Sequence, residues 1–170
     1  MLIGQAPGTH EESLGQPFAY TAGKTLFKWL EQASGNDEAT MRQLIYFSAV
    51  ARCFPGKAPS GKGDRTPSPV EIENCREHLS AEIATIQPRL ILAVGRVAIV
   101  EVLASLGLKK TVPLEELVGK KLRARFHGHD VDVIPLPHPS GVSRWPQTEP
   151  GKSKLQAALT LLSAELEKHL

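Results

Sequence analysis

Two short loops carry the residue types best suited to chemistry, and they stand at opposite ends of the chain. Gly4-Gln5-Ala6-Pro7-Gly8 follows the apolar Met1-Leu2-Ile3, and His138-Pro139-Ser140-Gly141 closely follows Val133-Ile134-Pro135-Leu136. The first loop offers closely spaced backbone N–H groups and the Gln5 amide. The second sets an imidazole beside a hydroxyl. A polar planar ligand or a phosphate fits such groups. Loops that leave the carboxyl ends of parallel strands open into one crevice, and ligands bind there. Residues this far apart in sequence can therefore meet.

Other segments invite a chemical reading and a plainer one. The loop Lys57-Ala58-Pro59-Ser60-Gly61-Lys62-Gly63-Asp64-Arg65 carries Lys57, Lys62 and Arg65 among small, flexible residues. It reads either as a phosphate-contacting segment or as a solvated connection. Ser143-Arg144-Trp145 offers an Arg beside an aromatic ring, suited to a nucleic-acid groove or a base stack. Ordinary packing of Trp145 is the alternative. Ala22-Gly23-Lys24-Thr25 has the ending of a phosphate-binding P-loop, but Phe18 stands where its first glycine belongs. Gly95-Arg96-Val97-Ala98 lacks the glycine fingerprint of a dinucleotide site, and a plain strand-to-helix turn is the better reading. His127 and His129 have no accompanying ligand cluster, so a polar hairpin tip is preferred to a metal site. Glu11 and Glu12 are paired carboxylates that serve either as a base or as loop solvation.

The elements that must position these loops follow from periodicity. Apolar runs at 1–4, 44–50, 89–95 and 131–136 read as strands, the inner ones buried on both faces. Residues 117–126 form a candidate edge strand, turning through His127-Gly128-His129-Asp130. Residues 8–21 read as loop, and 22–33 as a helix with Leu26, Phe27, Trp29 and Leu30 on one face. Ser68-Pro69-Val70-Glu71 is a helix start, with Ser as cap, Pro at the first position and Glu three residues after the cap. That helix runs to about Ile86, ahead of Pro88. A helix follows Gly95 to about Leu106, and an amphipathic helix spans 153–170. Helices alternating with strands give an α/β fold: a three-layer α/β/α sandwich around a mainly parallel sheet of about four strands. The whole of 1–170 is expected to be a single domain.

Bulk properties set limits. The chain has 170 residues, 41% of them hydrophobic and 22% charged, with a net charge of +2. A charge so small permits nucleic-acid binding only through local clustering. No apolar stretch reaches membrane-spanning length, and no signal peptide is expected. Cys53 and Cys75 are the only cysteines, expected to be reduced thiols of a cytoplasmic protein.

Taken in order, three blocks make the chain resemble the uracil-DNA glycosylase superfamily, above all its families 4 and 5, over most of its length. Gly4-Gln5-Ala6-Pro7-Gly8, with Glu11-Glu12, Gly15 and Pro17-Phe18, is similar to the first family 4 motif, Gly-Glu-Ala-Pro-Gly followed by Glu-Asp and Gly-x-Pro-Phe. Ala49-Val50-Ala51-Arg52-Cys53-x-Pro55, then Arg65-Thr66-Pro67-x-Pro69 and Cys75, is similar to the middle segment. His138-Pro139-Ser140 is similar to the third motif. The resemblance implies excision of uracil or another deaminated base from DNA by base flipping and hydrolysis. Gln5, Ala6, Pro7 and Gly8 would bound the pocket and hold the base and the water. Phe18 would stack on the base, and Ala49 would lie at its edge. His138 would donate to the uracil O2 as negative charge develops there. Ser140 and Gly141 would hold the flanking phosphate, Lys62 and Arg65 further phosphates, and Arg144, or a neighbour, would fill the gap in the stack. DNA is the implied partner, with no membrane association, and the protein is expected to act as a monomer.

This chain also departs from its resemblance. Gln5 stands where family 4 has Glu, and an amide does not accept a proton as a carboxylate would. Ala49 stands where family 4 usually has an Asn that reads the uracil edge. Family 5 also has Ala there but uses an Asp near the position of Thr21, which this chain lacks. Glu11 or Glu12 would then be the water-activating group, Glu11 first. Cys53 and Cys75 match two of four cysteines that hold the family's iron–sulfur cluster, and the other two would fall before Met1. No cofactor and no metal is therefore expected from these residues alone. Two alternatives of other classes are a catalytically silent nucleic-acid-binding module and a hydrolase of free nucleosides or nucleotides.

Overall fold

The computed structural model describes residues 1–109 and 111–168. Its centre is a five-stranded sheet built from β1 (Leu2–Gly4), β2 (Phe47–Ala49), β3 (Leu90–Val94), β4 (Leu122–Phe126) and β5 (His129–Leu136), in the order β2-β1-β3-β5-β4. All pairings are parallel except β4 with β5. The fifth strand is the edge segment, and it is antiparallel because a tight hairpin makes it. His127 and Gly128 both take left-handed backbone, at φ 44° and 81°, as a two-residue hairpin turn requires.

Side chains alternate across the sheet. Leu2, Leu92, Val94, Ile134 and Leu136 point to one face and meet Leu26, Phe27 and Leu30 of α2 (Thr21–Ser34) and Leu155, Leu159 and Leu162 of α7 (Gly151–Leu166). Ile3, Ile91, Ala93, Val131 and Val133 point the other way. They meet Leu79 and Ile83 of α4 (Pro69–Ile86) and Ala98, Ile99 and Val102 of α5 (Arg96–Val102). This is the expected three-layer sandwich. Each fully buried Leu or Ile contributes about 1.5–3 kcal/mol relative to exposure.

Helix α4 starts as its sequence dictates. The Ser68 hydroxyl accepts from the Glu71 N–H (3.3 Å), and the Glu71 carboxylate accepts from the Ser68 N–H (2.6 Å). Four other boundaries differ from the periodicity. The short helix α1 (Glu11–Leu14) interrupts the loop expected over 8–21. The strand expected over 44–50 narrows to 47–49 because α3 (Glu38–Leu44), capped by Asp37 through the Thr40 N–H (2.9 Å), takes up Leu44. The edge strand starts at Leu122, not 117. A turn of helix, α6 (Leu114–Leu117), precedes it, and Gly119 at φ 83° cannot continue an extended strand. The C-terminal helix starts two residues early at Gly151, and the end of its expected span, 169–170, lies outside the described residues. No described helix is long and apolar enough to cross a membrane.

The chain leaves β1 for β2 on one side, then crosses to β3 on the other. The strand order reverses between β1 and β3, and a crevice opens beyond their carboxyl ends.

Candidate active site

Both chemical loops reach that crevice. It measures about 540 Å³ and is lined by Gln5, Ala6, Pro7, Gly8, Glu11 and Phe18 from the first loop and by His138, Ser140 and Gly141 from the second. The first loop continues the β1–β2 ladder past the strands: Val50 N–H donates to Gly4 O and Ala51 N–H to Gln5 O, both at 3.0 Å. The Gln5 amide nitrogen is 3.5 Å from the Arg65 carbonyl.

Phe18 sits in an unusual backbone conformation, φ 54°, that a bulky residue adopts only under constraint. Three groups supply it. The Arg42 guanidinium donates to the Pro17 and Phe18 carbonyls (2.9 and 3.2 Å). The Glu11 carboxylate accepts from the Phe18 N–H at 3.0 Å. Gly23 gives the Phe18 carbonyl its space, since a Cβ there would lie 1.6 Å from that oxygen. This accounts for Gly23 without any P-loop. Gly4 similarly leaves room for the Phe18 ring, which a Cβ would meet at 3.0 Å.

His138 is fixed as tightly. Ser140 N–H lies 3.2 Å from its Nδ1, and the Ser140 hydroxyl 2.9 Å. A backbone N–H can only donate, so Nδ1 accepts and the ring proton sits on Nε2. Burial pushes the imidazole below the ordinary histidine range, and the negative charge of Asp64 partly offsets that. The ring lies against Gly95, whose φ is 84° and whose missing Cβ would come within 3.0 Å of Cδ2. The strand-to-helix turn at Gly95 thus has a purpose beyond turning.

The other candidates are distributed more widely. Ala49 lines a narrower recess of about 160 Å³ together with Ala6, Pro7, Glu11 and Phe18. Its strand is tied to α4 by Ser48 and Tyr46, whose hydroxyls donate to Glu82 (2.5 and 2.8 Å). Arg65 is held in a two-bonded pair with Glu71 (2.7 and 2.9 Å). Lys62 is exposed, and Arg144 precedes the short turn Trp145–Gln147. None of these three lines the crevice. Trp145 packs against the core, and its carbonyl occupies the space that Gly151 leaves open. The stretch around Lys57 is a small hairpin. Lys57 and Asp64 bridge, Ala58 N–H donates to Gly63 O (3.1 Å) and Arg65 N–H to Gly56 O (2.8 Å). It brings Lys57, Gly63 and Asp64 to the crevice wall.

Among the described residues no group of three or more His, Cys, Asp or Glu is placed to hold a metal ion. Cys53 is exposed and Cys75 half-buried, both as free thiols, and the Cys75 sulfur accepts the Arg52 N–H (3.2 Å). An iron–sulfur cluster takes four thiolates, so the cysteines present do not by themselves make its site.

Arg42, Gly23, Gly95, Asp64 and the exposed Val142 at the rim were not marked by motif reasoning as functional. The left-handed glycine and the loop carboxylate were visible as residue types. Arg42 lies 24 positions from Phe18, Gly95 lies 43 from His138 and Asp64 lies 55 from Thr9, so nothing local announced those contacts.

Comparison with known proteins gives this arrangement its family. The sequence model of the uracil DNA glycosylase superfamily matches residues 1–162, and the chain belongs to that superfamily. A type-4 uracil-DNA glycosylase of Archaeoglobus fulgidus is 30% identical over 147 residues, which cover 86% of this chain and 68% of the relative. One of Thermotoga maritima is 30% identical over 131 residues, 75% of this chain and 62% of the relative. A type-5 uracil-DNA glycosylase of Thermus thermophilus is 31% identical over 121 residues, 65% and 52% of the two chains.

Proposed function

We propose that this protein is a DNA glycosylase that flips uracil or another deaminated base out of DNA and hydrolyses its bond to the sugar. The observation that carries this reading is the fixed tautomer of His138. With Nδ1 accepting from Ser140, the neutral ring offers one donor, Nε2–H, in a wall shared with Phe18 and the first loop. A base leaving as its anion concentrates charge on a carbonyl oxygen. A donor fixed there beforehand lowers the barrier, because it needs no reorganisation as the charge appears.

The surrounding groups suit the same reaction. The clamped Phe18 offers a ring face for stacking. Ser140 and Gly141 offer a hydroxyl and a backbone N–H to a phosphate, and Lys57 and Lys62 stand on the neighbouring hairpin. Val142 is 67% exposed beside Gly141, and an apolar side chain at the rim can enter the gap left by an extruded base. Val142 lines the crevice, and Arg144, two residues on, does not.

Release of free base from single- and double-stranded uracil oligonucleotides tests the reading. His138→Ala should lower the rate by ~10²–10³, the scale of losing one such donor. No release from uracil, hypoxanthine or xanthine substrates would contradict it. Gln5 favours one second reading, a DNA-binding module without catalysis, and binding without release is its signature.

A further inference from the structure

We propose that Tyr20, backed by His10, is a stacking platform for an unpaired base beside the flipped nucleotide, and that it makes the protein select single-stranded over double-stranded DNA. The inference rests on the glycosylase reading of the crevice and adds the form of DNA that the crevice takes. Neither residue belongs to the motif positions quoted above.

Both rings stand at the crevice wall, before and after Phe18 in the chain. Their centroids are 4.2 Å apart and their planes are tilted by 47°, so His10 covers part of the Tyr20 ring and leaves the rest open. Tyr20 stays 51% exposed and packs on neither core. Both backbones are nevertheless anchored. Tyr20 stands at the N-cap of α2, where its carbonyl accepts from the Lys24 N–H (3.2 Å). His10 stands at the N-cap of α1, where its carbonyl accepts from the Leu14 N–H (3.1 Å) and the Ser13 hydroxyl (2.9 Å). A ring on a fixed backbone has little freedom left to lose when it binds. Phe18 and Tyr20 thus set two aromatic rings on one wall, the first for the flipped base and the second for its neighbour.

The start of α2 also gives a strand its path. Tyr20, Lys24 and Lys28 recur every four residues, and all three are exposed. Side chains at that spacing share one helix face, about 6 Å apart along the axis. No acidic residue stands between Tyr20 and Lys28. An aromatic ring followed by a basic track suits a single strand, because any base can stack on the ring while cations follow the phosphates. In a duplex the neighbouring bases stay paired and stacked on one another, and freeing one costs energy that a single strand does not spend.

The test is binding of the full chain to an uncleavable tetrahydrofuran abasic site, set in a single strand and in the matching duplex. The wild-type chain should bind the single strand more tightly. Tyr20→Ala should weaken single-strand binding about 5- to 150-fold, the scale of one lost base–aromatic stack, and leave duplex binding and melting temperature unchanged. Tyr20→Phe keeps the ring and should keep the affinity. A 2-aminopurine placed 5′ or 3′ of the abasic site reports the stack itself. On one of the two sides its emission should fall further with saturating wild-type chain or Tyr20→Phe than with Tyr20→Ala. Equal or weaker wild-type binding to the single strand overturns the proposal. So does a preference that survives Tyr20→Ala, a loss that Tyr20→Ala shows equally on both DNAs, or an emission that Tyr20→Ala leaves unchanged on both sides. None of these readouts needs base release. If they hold while no uracil is freed, the glycosylase reading fails and the platform stands; if uracil is freed and they do not hold, the platform alone fails.

Discussion

A backbone N–H aimed at an imidazole nitrogen settles which nitrogen carries the proton, and at His138 it leaves Nε2–H as the donor. Protonating Nδ1 would set an N–H against the Ser140 N–H, and burial already disfavours the cation. The neutral form is therefore preferred in the folded state. Just below pH 6.5 the folded chain binds fewer protons here than the unfolded chain, so the folding stability due to His138 falls as pH drops through that range. The His138 ring resonances followed by NMR should titrate with a midpoint below 6.5, and Asp64→Asn should move it lower still. A midpoint at or above 6.5 would contradict this. Gly95 supports the same ring. Gly95→Ala adds a strained φ and a methyl 3.0 Å from Cδ2, and should displace the imidazole. Base release is expected to fall at least ~10-fold, for a misplaced donor, while the fold persists. His138 and Ser140 were legible as a tripeptide after an apolar run. Their tautomer was not, because it depends on backbone geometry that composition does not encode.

Elements place the site by a few local decisions. Ser68→Ala removes the cap of α4 and should cost about 1 kcal/mol in denaturant unfolding, with base release nearly unchanged. A loss of release with full stability would give the cap a role it does not have here. Gly23→Ala should cost much more, since its Cβ would fall 1.6 Å from the Phe18 carbonyl. The loop or the start of α2 must move, and a soluble variant should lose release before it loses the sheet. The inner strands and α4 were readable because their signals are local: continuous apolar runs, and a cap with Pro and Glu at fixed offsets. The hairpin over 56–65 was not readable, since Gly, Pro and Lys describe a flexible segment equally well and only the bridge from Lys57 to Asp64 closes it. Helix α3 was missed because its seven residues are too few to show a period, although Asp37 is a good cap. Length also hid the true start of β2, whose apolar neighbours Leu44 and Ile45 belong to the helix and its end.

For the molecule as a whole, a net charge of +2 leaves DNA attraction to local groups around one crevice. Three to five phosphate contacts would give log affinity against log salt a slope of about −3 to −4.5. A slope near zero would remove DNA as the ligand. The fold converts two loops separated by most of the chain into one wall, with a donor on β5's loop, a clamped ring on β1's loop and a carboxylate on the hairpin between β2 and α4. One assay bears on that arrangement most directly: the rate at which purified protein releases free uracil from a single-site oligonucleotide, alone and as His138→Ala. Release by the wild-type chain, slowed ~10²–10³ in the variant, is the expected result. No free uracil after prolonged incubation, or release that His138→Ala leaves untouched, would contradict the account.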